Sequence, residues 1–175
     1  MSTDRSTRLL LVRHAIAEDR AEFARTGRPD DERPLTDKGI RRMRLAARGL
    51  FGELGDLTVL ATSPLARAIE TAEILSEAFD GIRVERVPAL AAGPHEAFLD
   101  WVRDVAGTGT VAAVGHEPYL GAWTSWLLAG PAADFVSFRK GGACLLEFPH
   151  RIEPGAAVLR WHLAPSHLRA LGGRA

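Results

Sequence analysis

Two arginines and two histidines lie where short apolar runs of the chain end, and together they could bind a phosphate dianion. Arg13 and His14 follow the run at residues 9–12, and His116 follows the run at residues 111–114. Arg67 lies just after the Ser63-Pro64 dipeptide that closes another run. Guanidinium groups offer paired donors that match phosphate oxygens, so this set of residue types favours an anion site.

The elements that must position these side chains alternate between strands and helices. A continuous apolar run predicts a strand at residues 9–12, and short β-rich runs predict strands at 57–61, 82–87 and 111–114. Two more runs, at 143–148 and 156–163, predict a hairpin. Helical patterns begin after Thr36 as N-cap and at Ser63, with Ser63 as N-cap and Pro64 in the first position. Two more helices are predicted over residues 94–106 and from Pro118 to a stop at Gly130.

This alternation predicts an α/β fold in one domain spanning residues 1–175. We expect a three-layer α/β/α sandwich with a mostly parallel sheet and a C-terminal antiparallel hairpin. Ligands of such sheets bind at the carboxyl ends of the strands, where helix N-termini add partial positive charge. Arg13, His14, Arg67 and His116 should therefore meet at one edge of the sheet.

Composition excludes several other classes of protein. The 175 residues contain 22 Lys plus Arg and 22 Asp plus Glu, so no global field favours nucleic acid or an anionic membrane as partner. The single cysteine, Cys144, has no partner for an internal disulfide and is interpreted as a small buried hydrophobe. The apolar run at residues 9–12 is too short for a signal peptide or a membrane span, which favours a cytoplasmic protein.

A metal site is disfavoured by the same residues that favour phosphate. His14 and His116 have no third ligand at a fitting spacing, and the neighbouring arginines would repel a cation. We therefore expect no metal and no other cofactor. Each of the four residues taken alone would more often be structural, and it is their conjunction at one sheet edge that indicates a site.

Four motifs in order make the chain resemble the histidine phosphatase (phosphoglycerate-mutase-like) superfamily. They are LVRHA at 11–15, PLTDKG at 34–39, TSPLARAIETA at 62–72 and VGHEP at 114–118. The Arg-His-Ala form, the short chain and FRKGG at 138–142 are most similar to the SixA-type phosphohistidine phosphatases. The resemblance implies that His14 is the nucleophile, that Arg13 and Arg67 grip phosphate, and that His116 completes the pocket.

The resemblance also implies a mechanism. His14 must be neutral at its attacking nitrogen, with the other nitrogen held by a backbone carbonyl or a similar acceptor, and nearby cations should lower its pKa. Arg13, Arg67 and a protonated His116 would spread the charge of the transferring group, and water would hydrolyse the phosphohistidine intermediate.

One position departs from the family pattern. Ala92 stands where many mutase-like members carry a proton-donating glutamate. SixA-type members lack this acid too, so the departure fits that branch. Glu117 is a candidate proton donor at the pocket rim, although it could instead cap the following helix.

Two functions from different classes stay open at this point. The first is a phosphatase acting on protein phosphohistidine or on a small phosphorylated metabolite, and the second is a phosphate-recognition module without turnover. The segment at residues 18–34 is either a lid or substrate-contacting loop, or a solvated insertion. The tail after Pro165 is expected to be frayed.

Overall fold

The computed structural model describes residues 6–107 and 109–173. The strands are Thr7–Arg13 (β1), Val59–Thr62 (β2), Val84–Arg86 (β3), Thr110–Gly115 (β4), Ala143–Phe148 (β5) and Val158–Leu163 (β6). The helices are Arg20–Ala24 (α1), Asp37–Leu54 (α2), Ala66–Ala78 (α3), His95–Asp104 (α4), Tyr119–Ala129 (α5) and Pro165–Gly172 (α6). Two 3₁₀ helices cover Asp30–Glu32 and Pro88–Leu90.

The six strands form one sheet in the order β3-β2-β4-β1-β5-β6. Strands β1 to β4 pair in parallel, and β5 runs antiparallel to both β1 and β6. The central strands β1 and β4 are continuous apolar runs because helices cover both of their faces. The predicted α/β fold with a mostly parallel sheet and a C-terminal hairpin is confirmed.

Two apolar clusters, one on each face of the sheet, make the three layers. On one face α2, α3 and α6 bury side chains such as Met43 and Leu168. On the other face α4 and α5 bury Phe98 and Trp123, whose rings stack with centroids 4.2 Å apart. Within the described residues, no helix is long and apolar enough to cross a membrane.

The predicted N-cap is found for α2 but not for α3. The Thr36 hydroxyl caps α2 by accepting a hydrogen bond from the Gly39 N–H at 3.0 Å, as predicted. The prediction that Ser63 caps the next helix is wrong, because α3 begins at Ala66 after an N-cap residue, Leu65, without a side-chain cap. The Ser63 hydroxyl instead lies 2.7 Å from His116 Nε2.

The prediction of a frayed tail after Pro165 is also wrong. Residues 165–172 form α6, which packs along α2 with Leu168 fully buried. The two helices approach closely at glycines. A Cβ on Gly49 would lie 2.2 Å from the Leu168 carbonyl oxygen, and one on Gly172 would lie 1.9 Å from the Leu45 carbonyl oxygen. This interface joins residues distant in sequence, so no local pattern revealed it.

We predict that Gly49→Ala lowers the free energy of unfolding by about 1–3 kcal/mol, because backbone must move to admit the methyl group. Gly52 is the matched control, since it lies in the same helix and a Cβ added there would have nothing within 4 Å. Gly52→Ala should raise stability by roughly 0.5–1 kcal/mol through helix propensity. Urea denaturation of both variants measures this, and equal effects at the two positions would contradict the close α2–α6 contact.

Candidate active site

The site is built by strand register at the carboxyl ends of β1, β2 and β4. Arg13 pairs with Gly115 across the parallel β1–β4 ladder, and the His14 N–H donates to the Gly115 carbonyl at 3.1 Å. The next residue on each chain is a histidine, and the rings of His14 and His116 lie 5.0 Å apart. The Ser63 N–H donates to the Val114 carbonyl at 3.0 Å, which brings the end of β2 to the same edge.

His14 is held in one tautomer by the backbone. The ring is buried, and its Nδ1 lies 2.7 Å from the carbonyl oxygen of Ala15. A carbonyl oxygen can only accept, so Nδ1 carries the proton and the lone pair resides on Nε2. Thr71 supports this arrangement, because its Oγ1 accepts from the Ala15 N–H at 3.0 Å and donates to the Arg67 carbonyl at 2.7 Å.

The surroundings keep the His14 ring neutral. Burial lowers the pKa of His14 to about 3, with further lowering by His116, Arg67 and Arg13, while the bond to Ala15 opposes these effects. The expected direction is therefore found, but desolvation outweighs the neighbouring cations as its cause.

His116 is also neutral in the protein alone. Burial, and then Arg67, Arg13 and Arg33, lower the pKa of His116 to about 4. The expectation of a protonated His116 concerns phosphoryl transfer, and the protein without an anion does not test that expectation. A phosphate dianion beside the ring would favour the charged form, so protonation of His116 should accompany phosphate binding rather than precede it.

The two predicted arginines are anchored by main-chain oxygens. Arg13 Nη1 donates to the Phe138 carbonyl at 2.5 Å, and Arg67 Nη1 donates to the Asp30 carbonyl at 2.9 Å. Burial lowers the pKa of both guanidinium groups. Arg13 Nε, Arg67 Nε and His116 Nδ1 are buried and have no hydrogen-bond partner among the described residues, so the protein alone leaves hydrogen-bonding capacity unfilled at this site.

Glu117 takes a contact that the sequence did not suggest. Its Oε1 accepts a hydrogen bond from the Phe138 N–H, and α5 has no side-chain cap. The capping interpretation is therefore wrong. Its carboxylate lies close enough to Arg13 to raise the pKa of that guanidinium against the effect of burial. Glu117 therefore lines the pocket and also holds the backbone of Phe138, in the segment before β5, through this hydrogen bond.

These residues line a pocket of about 470 Å³. His14, Arg13, Arg67, His116 and Glu117, the five residues that the sequence analysis selected, all border it. The remaining lining residues are Ala17, Glu18, Asp19, Arg20, Arg33 and Lys140. Cationic side chains dominate this set, as a site for a dianion requires.

Sequence reasoning left the role of residues 18–34 open and did not select Arg20 or Arg33 as site residues. The segment is not a solvated insertion, because it folds into α1 and a 3₁₀ helix and places Arg20 and Arg33 in the pocket wall. The Arg33 side chain is only 9% exposed, and its Nη1 donates to the Glu18 carbonyl at 2.8 Å. Four arginines in one polar loop, at 20, 25, 28 and 33, were the available signal.

The chain's own donors do not suit a metal ion at this site. In residues 6–107 and 109–173, no group of three or more His, Cys, Asp or Glu side chains is placed to hold one. Ala92, where related enzymes carry an acid, is exposed and does not border the pocket.

A neutral buried histidine surrounded by arginines at the strand ends of a three-layer sheet defines a phosphate-binding α/β protein. Residues 9–92 match the model of the histidine phosphatase superfamily, branch 1. A protein of Picosynechococcus sp., itself uncharacterized, is 38% identical over 138 residues, which cover 77% of this chain and 81% of that protein. This chain therefore belongs to the histidine phosphatase superfamily and is an enzyme of the phosphatase class.

Two further similarities confirm the resemblance to the SixA-type branch. The phosphohistidine phosphatase SixA of Escherichia coli is 24% identical over 145 residues, covering 80% of this chain and 86% of that protein. The structure of the protein histidine phosphatase SixA complexed with tungstate superposes with a TM-score of 0.76 at 22% identity. That match covers 92% of this chain and 99% of the other, and at this identity it shows a shared fold.

We predict that the rings of His14 and His116 stay neutral down to pH 5 in the protein alone, because their pKa values lie near 3 and 4. A histidine side chain in water titrates near pH 6.5, so the difference is easy to measure. Long-range ¹H–¹⁵N NMR reports the ring protonation, with His14→Gln and His116→Gln used for assignment. Adding phosphate at pH 6 should shift the His116 signals toward the protonated form. Titration of either ring near the ordinary value without phosphate would contradict the burial argument.

Proposed function

We propose that this chain is a metal-independent phosphohistidine phosphatase that works through a phosphoenzyme on His14. The observation that carries the proposal is the fixed tautomer of His14. Because Nδ1 donates to the Ala15 carbonyl at 2.7 Å, the lone pair on Nε2 is available to attack phosphorus at neutral pH. A module that only recognised phosphate would need the arginines but not a buried, neutral, oriented imidazole.

The chemistry takes two steps. In the first, a bond forms between His14 Nε2 and phosphorus, and the bond from phosphorus to the leaving atom breaks with its electron pair on that atom. In the second, water attacks phosphorus, the bond to Nε2 breaks and inorganic phosphate leaves. Arg13 and Arg67 offset the negative charge on the non-bridging oxygens, and His116 joins them once the anion raises its pKa. Each such donor contributes about 2.7–4 kcal/mol of transition-state stabilisation.

A phosphorylated histidine suits this pocket better than an alkyl phosphate. No acid occupies the Ala92 position, and the Glu117 carboxylate is engaged by the Phe138 N–H. An alkoxide that leaves without a proton is costly, whereas an imidazole nitrogen is a good leaving group and can take its proton from water. The similarity to the phosphohistidine phosphatase SixA of Escherichia coli and to the structure of a protein histidine phosphatase SixA supports phosphorylated histidine in a protein as the substrate class. The lack of a second cysteine to pair with Cys144 is compatible with the cytoplasmic location that we include in the proposal.

A small-molecule phosphomonoesterase is the second candidate, and one observation favours it. Glu18 borders the pocket together with Glu117, and its exposed side chain could protonate a leaving alkoxide. Small phosphorylated metabolites would then be substrates. The dependence of kcat/KM on the pKa of the leaving group separates this function from that of a phosphohistidine phosphatase.

We predict that His14→Ala lowers turnover of a phosphohistidine peptide by about 10³-fold or more and abolishes the phosphoenzyme. The assay contains EDTA, in which the wild type should keep its activity because arginines supply the positive charge. Mass spectrometry after an alkaline quench detects the phosphoenzyme, since the P–N bond is labile in acid. His167→Ala, at an exposed histidine outside the pocket lining, is the matched control. Phosphoenzyme in His14→Ala, or activity lost in EDTA and restored by Mg²⁺, would refute the mechanism.

We further predict that kcat/KM falls steeply as the leaving-group pKa rises across aryl and alkyl phosphates, because no dedicated acid protonates the leaving group. Glu117→Gln should keep the same slope, since the amide oxygen can still accept from the Phe138 N–H. A shallow slope in the wild type that steepens in Glu117→Gln or Glu18→Gln would identify that carboxylate as the acid and favour the phosphomonoesterase.

A further inference from the structure

Three arginines of the pocket wall converge on one carboxylate, that of Asp30. Arg33 Nε lies 2.8 Å from Oδ1, and Arg20 contacts both carboxylate oxygens at 3.2 Å. Arg67 Nη2 lies 3.4 Å from Oδ2, while Arg67 Nη1 donates to the backbone carbonyl of the same residue at 2.9 Å. Asp30 therefore contacts arginines from α1, from the loop after the 3₁₀ helix and from α3.

Asp30 lies behind these arginines and not in the pocket itself. Arg20, Arg33 and Arg67 line the pocket that contains His14, whereas Asp30 borders the neighbouring cleft beside Phe23. Its side chain is 34% exposed, compared with 7% for Arg67 and 9% for Arg33. The hydrogen bond from Arg20, followed by the effects of Arg33 and Arg67, holds the pKa of the Asp30 carboxyl well below its usual range. Asp30 is thus ionised at any pH where the enzyme would work and cannot supply a proton.

The arginines need such a partner because they repel one another. Arg33 and Arg20 lower the pKa of Arg67, and Asp30 raises it. Without the carboxylate, the exposed Arg20 would turn to solvent. Arg33 and Arg67 would each keep one bond to a main-chain carbonyl but lose the second contact that fixes the guanidinium plane. Long side chains regain rotamer entropy when they are released, so their orientation depends on such bonds.

We propose that Asp30 is a positioning residue that orients Arg33 and Arg67 toward the transferring phosphoryl group, with Arg33 as a third arginine contact to that group. The inference rests on the proposed function, because it assigns these arginines to phosphoryl binding. It extends the site from the strand ends to residues 18–34. That segment would thus complete the anion site through Arg33 while Asp30 fixes its geometry.

A charge argument alone predicts the opposite result for one substitution. Removing a negative charge near an anion site should tighten phosphate binding. If Asp30 orients the arginines, Asp30→Asn should weaken phosphate binding. The amide replaces one acceptor oxygen with an N–H donor, and this donor would face guanidinium groups that also donate. Asp31→Asn is the matched control, since the neighbouring Asp31 is exposed and loses the same charge.

The first measurement is the dissociation constant of inorganic phosphate by calorimetry, with kcat and KM for the phosphohistidine peptide. We expect Asp30→Asn to weaken phosphate binding and lower kcat/KM by about 10- to 100-fold, whereas Asp31→Asn changes both by less than about twofold. Asp30→Glu, which keeps the carboxylate, should recover part of the loss. Tighter phosphate binding by Asp30→Asn, or values indistinguishable from those of the Asp31→Asn control, would overturn the proposal.

A double-mutant cycle separates orientation from a loss of folded protein. Arg33→Gln should weaken phosphate binding by about tenfold in the wild type but much less in Asp30→Asn, where Arg33 is already misplaced. A lower active fraction changes kcat and the binding stoichiometry but leaves the dissociation constant of the folded molecules unchanged. Additive effects of the two substitutions would overturn the positioning role.

Failure of this proposal can be told apart from failure of the proposed function. Asp30→Asn should still form the phosphoenzyme on His14, only more slowly, because His14 Nδ1 is held by Ala15 and not by Asp30. If the wild type forms no phosphoenzyme, the proposed function fails while the phosphate-binding measurements still test the role of Asp30. If the wild type forms it and Asp30→Asn binds phosphate normally, only the positioning role fails.

Discussion

The parallel pairing of β1 with β4 is the constraint on which the site depends. Arg13 pairs with Gly115, so the residue after each is a histidine, and the two rings meet 5.0 Å apart. A shift of one residue in this ladder would exchange the apolar side chains of β1 between the two faces of the sheet, and the close packing on each face opposes such an exchange. The apolar core therefore enforces the register, and the register places His14 beside His116. The geometry of the reactive centre follows from the stability of the sheet.

The main energetic problem at this edge is the burial of positive charge. Arg67 is buried and Arg13 is partly buried beside two histidines, and two features offset the cost of this burial. The histidines stay neutral because burial lowers their pKa values to about 3 and 4. The arginines find acceptors in backbone carbonyls and in the Asp30 carboxylate, and the charge of the nearby Glu117 carboxylate partly offsets that of Arg13. A phosphate dianion supplies the remaining negative charge, so binding is favoured by relief of repulsion as well as by hydrogen bonds.

The same arrangement gives the proposed substrate preference a physical basis. In the proposed mechanism a neutral imidazole with its lone pair on Nε2 attacks phosphorus and the cations stabilise the transferring group, but the leaving group receives less help. Ala92 contributes no acid, and Glu117 is engaged with the Phe138 N–H. A site with strong attack and weak leaving-group assistance suits substrates whose bond to phosphorus breaks readily, and a phosphorylated imidazole is such a substrate.

The sequence by itself determined the class of fold and the residues at the strand ends. Apolar runs mark buried parallel strands, and a residue that follows such a run must lie at the carboxyl edge, so His14, His116 and Arg67 could be selected from their positions alone. Only the tertiary structure decided which residues from elsewhere join them. Asp30 and Arg33 lie in a polar loop without periodicity, and α6 docks through glycines that make close backbone contacts. The protonation of His116 also depends on its burial and on its distance from three arginines of distant segments. Neither the burial nor these distances can be predicted from the local sequence.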